Sequence, residues 1–136
     1  MATEKYYKES RIKARLDSYL TQAKEEYTNY QSSKDTTKLA EAGEKLWGAF
    51  NYLMEIKAHQ SLKTNQEVID AVYNTHDNTL IGVYKDAFIL HQFFYGWTDR
   101  IEDIESAFMS TEKGIELYRS NPQTRYSSQR KKLAHG

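Results

Sequence analysis

The sequence predicts an all-α protein, an antiparallel up-and-down four-helix bundle with one short extra helix and a basic C-terminal tail. Three observations lead to this class. Apolar residues recur every three or four positions along most of the chain, which places them on one face of a helix. One proline and six glycines in 136 residues leave few points at which a helix must end. The connections between the periodic segments are short and polar, which favours antiparallel neighbours.

The first two long helices are predicted over residues 4–30 and 37–61. The apolar stripe of the first helix consists of Ile12, Leu16, Leu20, Ala23, Tyr27 and Tyr30. The second helix holds Gly43 and Gly48 on its apolar side, with Trp47 between them as a core anchor. Glycine inside a helix costs about 1 kcal/mol relative to alanine. Two glycines this close together therefore indicate that a neighbouring helix packs tightly against the segment.

A short helix is predicted over residues 65–73, because Thr64 and Glu67 have the spacing of a capping box. Residues 74–78 follow it and are rich in turn-forming types, so we expect the chain to bend there.

The two remaining long helices are predicted over residues 79–95 and 101–120. Gly96 is placed to end the first of them in a left-handed conformation, and Pro122 limits the second. The apolar face of residues 79–95 is broader than one neighbour would cover. We therefore expect burial on more than one side, with a second copy of the chain as a candidate partner.

Composition and charge exclude several classes of function. The chain has no cysteine, which excludes disulfides, thiolate catalysis and Cys-based zinc sites and is consistent with a cytoplasmic location. The charge-free stretch of residues 87–98 is too short to cross a membrane as a helix. Residues 123–136 hold four basic residues and no acidic one, whereas the rest of the chain has a net charge of −4. We therefore expect a bundle over residues 1–121 and a basic, flexible tail over residues 122–136. Such a tail suits an anionic partner or a contact with the acidic bundle itself. The alternative interpretation is a solvated terminus with no partner.

His91 is the candidate catalytic residue, because it lies in the most apolar part of the chain and shares a helix face with Phe88 and Tyr95. Histidine titrates near neutral pH and is a common general base. The alternative interpretation is a buried histidine satisfied by one hydrogen bond. No metal site and no cofactor are predicted, since the sequence contains no Glu-x-x-His pair, no Gly-x-Ser-x-Gly motif and no glycine-rich phosphate loop.

Residues 42–50 (AGEKLWGAF) and residues 87–95 (AFILHQFFY) resemble, in order and separation, the archaeal PaREP family of small helical proteins, which is similar to a branch of the HEPN superfamily. The resemblance implies an up-and-down bundle that dimerises along its helices. It also implies a link to RNA or nucleotides, and a nucleotidyltransferase-type partner protein in a toxin–antitoxin-like system. The candidate binding residues are Glu44, Lys45, Trp47, Tyr95 and Arg100.

Many HEPN domains are ribonucleases that use an arginine four to six residues before a histidine, but here Arg100 follows His91. We therefore expect a homodimeric binding module, with no membrane association, rather than an enzyme. The alternative is a metal-independent ribonuclease in which His91 takes the 2′-hydroxyl proton and Lys45 or Arg100 steadies the phosphate. A third interpretation is a structural adaptor with no nucleotide role, anchored by Trp47, Tyr95 and Trp97.

Overall fold

The computed structural model describes residues 8–96 and 100–120, and these residues form five α-helices and no strand. The helices are α1 (Glu9–Ser33), α2 (Thr36–Ala58), α3 (Asn65–Asn74), α4 (Asn78–Phe94) and α5 (Ile101–Arg119). The prediction of an all-α protein is confirmed. Three parts of the prediction lie outside the described residues: residues 4–7 of the first helix, the predicted anchor Trp97, and the tail over residues 122–136.

The first two helices end at residues in the left-handed conformation. Lys34 follows α1 with φ 61°, and His59 follows α2 with φ 55°. Their backbone N–H groups donate to carbonyl oxygens of the preceding turn, those of Tyr30 and Ile56. A helix does not continue through a left-handed residue, so α2 ends at residue 58 rather than at residue 61 as predicted.

Side chains cap the starts of α2, α3 and α4. Asp35 accepts one backbone N–H group of the first turn of α2, and Asp77 accepts two in the first turn of α4. Thr64 and Glu67 form both hydrogen bonds of the predicted capping box at α3. After α4, Gly96 has φ 91°, which confirms its predicted role at the helix end.

α2 packs against each of the other four helices. It runs in the opposite direction to α1, with which it shares an edge-to-face contact between Tyr19 and Tyr52. α4 packs against both α2 and α5. α5 also meets α1, where the rings of Tyr27 and Phe108 stack with centroids 4.2 Å apart. The core therefore lies between α1, α2, α4 and α5, and α3 covers one end of it.

The glycines of α2 mark its closest contacts with neighbouring helices. A Cβ atom on Gly43 would lie 3.2 Å from Cβ of Leu90 on α4, and one on Gly48 would lie 2.6 Å from the Tyr19 ring on α1. The predicted tight packing at both glycines is confirmed, and Trp47 between them is buried as predicted. The largest fully buried side chains are Tyr118, Phe50, Phe108, Leu16, Leu20, Leu39, Leu46, Leu53, Met54, Leu80, Leu90 and Ile104. Within residues 8–96 and 100–120, no helix has the length and apolar character needed to cross a membrane.

Candidate functional site

A hydrogen-bonded pair of titratable side chains joins α2 to α4. Nδ1 of His91 lies 2.9 Å from Oε1 of Glu44. An ionised carboxylate can only accept a hydrogen bond, so Nδ1 carries the proton and its N–H group donates the hydrogen bond to Glu44. This arrangement leaves Nε2 of the imidazole as the second functional nitrogen. The side chains of His91 and Glu44 are 18% and 26% exposed, so the pair is half-buried but reachable from solvent.

The packing of α2 against α4 explains why these two side chains meet. Gly43 has no side chain, so α4 approaches α2 closely at Leu90. The next residue on each helix is a member of the pair, Glu44 on α2 and His91 on α4. The glycine that the sequence marked as a packing position therefore also positions the polar pair.

Aromatic rings surround the imidazole on two sides. The buried indole of Trp47 stacks on His91 with ring centroids 4.7 Å apart and an interplanar angle of 23°. Tyr95 meets the same imidazole edge-to-face at 5.0 Å, and Phe94 packs edge-to-face on Tyr95 at 5.2 Å. Tyr95 is 71% exposed and Phe94 is 41% exposed, so large apolar surface borders the pair. We refer to Phe94 and Tyr95 as the α4 aromatic end.

The structure thus brings together four of the six residues that the sequence marked, those at positions 44, 47, 91 and 95. Lys45 instead lies on the α1 side of α2, with Nζ 4.7 Å from the centroid of the Tyr19 ring. Arg100 precedes α5, and its Nε lies 3.8 Å from Oε2 of Glu102. Neither of these contacts includes His91. Phe94 is the residue that sequence reasoning missed as a site candidate, because its spacing placed it in the apolar stripe of the helix.

Two grooves lie away from the pair. One, of about 570 Å³, lies between the end of α2 and α3 and is lined in part by Lys57, Asp70 and Asn74. The other, of about 840 Å³, lies between α4 and α5, and Asp86 on its wall has a pKa raised by burial. In the part of the chain that the structure describes, no three His, Asp or Glu side chains lie close enough together to hold a metal ion.

Fold and site together define an all-α protein with a half-buried histidine–glutamate pair between two of its helices. Comparisons of the chain with family models, with curated proteins and with solved structures give no match. Functional inference therefore depends on the geometry of the site itself.

Proposed function

We propose that this chain is a HEPN-like helical module of the cytoplasm that acts as a homodimer and binds through the end of α4. One observation carries the proposal: the half-buried Glu44–His91 pair lies directly beside the exposed rings of Phe94 and Tyr95. Aromatic side chains are enriched at the centres of protein interfaces, where they supply much of the binding energy. Covering these rings removes apolar area from water, which favours binding by about 25 cal/mol for each Å² that is buried.

The fold part of the proposal is an antiparallel up-and-down four-helix bundle. It is supported by the packing of α1 on α2, of α2 on α4 and of α4 on α5. The contact between Tyr27 of α1 and Phe108 of α5 closes this sequence of neighbours into a ring. α3 is then the short extra helix.

The homodimer is supported by the mixed chemistry of the patch. A two-fold interface brings the same surface of two copies together, so that surface must complement itself. Glu44 offers an acceptor, His91 offers a donor when its imidazole is protonated, and the α4 aromatic end offers rings that pack against like rings. For a further partner, the resemblance to HEPN-type proteins suggests a nucleotidyltransferase-type protein in a toxin–antitoxin-like system, or an RNA or nucleotide.

Light scattering on the purified chain tests the dimer. The monomer mass is 15.9 kDa, so a homodimer has about twice that mass. Tyr95→Asp and Phe94→Asp should each shift the particle to the monomer mass, because a carboxylate would be buried without a partner. The matched control is Met109→Asp, at a 61% exposed apolar residue on α5. A wild-type chain at the monomer mass, or a control that dissociates equally, would contradict the proposal.

A second candidate function is a metal-independent ribonuclease. The observation that favours it is the orientation of His91: its Nδ1–H donates to Glu44, which leaves Nε2 free to remove a proton from a 2′-hydroxyl. Incubation with transfer RNA should then give cleavage that His91→Ala abolishes and Glu44→Gln strongly reduces. Cleavage that persists in His91→Ala, or a wild-type chain that does not cleave, removes this candidate.

A further inference from the structure

The first turns of α1 carry a concentration of positive charge. Four of the eight residues 8–15 are basic and one, Glu9, is acidic. Glu9 pairs with Lys13 at 3.2 Å. Lys8, Arg11 and Arg15 make no ion pair with any residue in the described ranges. Among the residues that the structure describes, none of these three cations is therefore neutralised by a direct ion pair.

Helix geometry places these cations on one side of α1. At 3.6 residues per turn, positions 8, 11, 15 and 19 follow one face of the helix. Lys8, Arg11 and Arg15 are all exposed there, and the row continues to the half-exposed ring of Tyr19. Over this distance the row is roughly 16 Å long, at about 1.5 Å per residue.

α2 extends the row with a second ring and a fourth cation. Tyr52 meets Tyr19 edge-to-face with ring centroids 5.2 Å apart, and Lys45 lies over the Tyr19 ring at 4.7 Å. Burial raises the pKa of Tyr52, and the positive charge of Arg15 offsets part of that rise. Glu55 on α2 is an acid that interacts with this surface. Burial raises the pKa of Glu55, and two contacts offset part of that rise: the backbone N–H of Leu62, which donates to its carboxylate at 2.8 Å, and the positive charge of Arg15. Glu55 therefore balances part of the positive charge here.

We propose that this surface, formed by Lys8, Arg11, Arg15, Tyr19, Lys45 and Tyr52, binds a single-stranded nucleic acid. We refer to it as the α1–α2 basic surface. An arginine guanidinium can donate two parallel hydrogen bonds to the oxygens of one phosphate. Tyrosine rings offer flat faces on which unpaired bases stack. Base pairs in a duplex already stack on each other, so the rings favour a single strand. The surface lies on the α1 side of α2, away from the Glu44–His91 pair, and does not depend on the dimer proposed above.

Fluorescence anisotropy with the full chain and a labelled oligouridylate of about twelve nucleotides tests this inference. The variant Arg11→Gln with Arg15→Gln should bind about tenfold more weakly. Its plot of log affinity against log salt should be less steep by about 1.4, because each phosphate contact to a single strand contributes about 0.7 to the slope. The matched control is Lys85→Gln with Lys113→Gln on α4 and α5, which changes the net charge equally and should leave both quantities unchanged.

Three further measurements test whether the α1–α2 basic surface, rather than another part of the chain, binds the single strand. Tyr52→Leu should weaken binding several-fold while Tyr52→Phe retains it, since phenylalanine keeps the flat ring. A duplex of the same length should bind more weakly than the single strand. The proposal is overturned if the wild type does not bind, if the duplex binds as tightly, or if the matched control loses as much affinity. It is also overturned if only Lys131→Gln with Lys132→Gln, in the basic tail, weakens binding.

Discussion

The hydroxyl group of Tyr118 on α5 donates a 2.6 Å hydrogen bond to Oδ2 of Asp77, the residue that caps α4. Both side chains are buried. The other carboxylate oxygen, Oδ1, accepts the backbone N–H groups of Thr79 and Leu80. One buried carboxylate therefore caps the N-terminus of α4 and also links α4 to α5.

Removing this hydroxyl group should cost stability. Tyr118→Phe is expected to lower the free energy of unfolding by about 1.5–3 kcal/mol, the usual range for a hydrogen bond to a charged group. Asp77→Ala should cost about 1 kcal/mol more, because it also removes the helix cap. Urea denaturation measures both, and Tyr73→Phe, at an exposed ring on α3, is the control expected within about 0.5 kcal/mol of wild type. Equal effects of Tyr118→Phe and Tyr73→Phe would show that the buried bond contributes nothing.

Two helical glycines should respond in opposite directions to the same substitution. A Cβ atom on Gly114 would collide with Cγ2 of Val83, whereas one on Gly82 would meet nothing within 4 Å. Gly114→Ala is therefore expected to destabilise the fold by about 1–3 kcal/mol. Gly82→Ala should stabilise it by about 0.5–1 kcal/mol, because alanine is the better helix former.

The melting temperatures of the two alanine variants check this prediction. Adding Val83→Ala to Gly114→Ala should recover part of the loss, since it removes the atoms that collide. A shift of the same sign in both single variants would mean that α4 and α5 do not approach each other at Gly114 as closely as described.

Tyr30 should make folding stability depend on pH in the alkaline range. Burial, followed by the hydrogen bond that its hydroxyl group donates to Glu105, raises the pKa of Tyr30 to about 12 from 10.0. The folded state then holds this proton more tightly than the unfolded state. Its contribution to stability is fully present below pH 10 and is lost as the pH rises towards 12.

The ultraviolet absorbance of tyrosinate measures this titration, and subtracting the curve of Tyr30→Phe isolates one ring among the 11 tyrosines. Glu105→Gln should lower the pKa of Tyr30 but leave it raised, because burial is the larger cause. A difference curve with its midpoint near 10 would be incompatible with a buried, hydrogen-bonded Tyr30.

The tautomer of His91 should depend on Glu44. The 2.9 Å hydrogen bond keeps the proton on Nδ1 in the neutral imidazole. Nitrogen-15 NMR of histidine-labelled protein should therefore show the Nδ1–H form at position 91, and Glu44→Ala should move population to the Nε2–H form. Glu41→Ala, one turn earlier on α2, is the control and should leave the spectrum of His91 as it is. An Nε2–H form in the wild type would contradict the described pair.

The helices were predictable from the sequence because apolar periodicity is a local property. The capping box at Thr64 and the left-handed Gly96 were predictable for the same reason. The ends of α1 and α2 were harder to predict, because Lys34 and His59 adopt left-handed conformations that lysine and histidine side chains do not favour. Such positions depend on the direction that the next helix must take.

The candidate site was predictable only as separate residues. His91 stood out by its apolar surroundings, and Glu44 by its place in residues 42–50, on which the expected family resemblance was based. No sequence rule joins two residues 47 positions apart, since their contact depends on how α2 and α4 pack. The separation of Lys45 from His91 has the same origin: consecutive helical residues point about 100° apart, so Lys45 faces α1 while Glu44 faces α4.

The position of α2 between its neighbours also has a consequence for the order of assembly. Only Lys34 and Asp35 separate α1 from α2, so pairing these two helices closes a very short loop and costs little chain entropy. α4 and α5 come later in the chain and dock on a surface that this pair has already formed. Pulse-labelled hydrogen exchange during refolding should therefore protect the amides of α1 and α2 before those of α5.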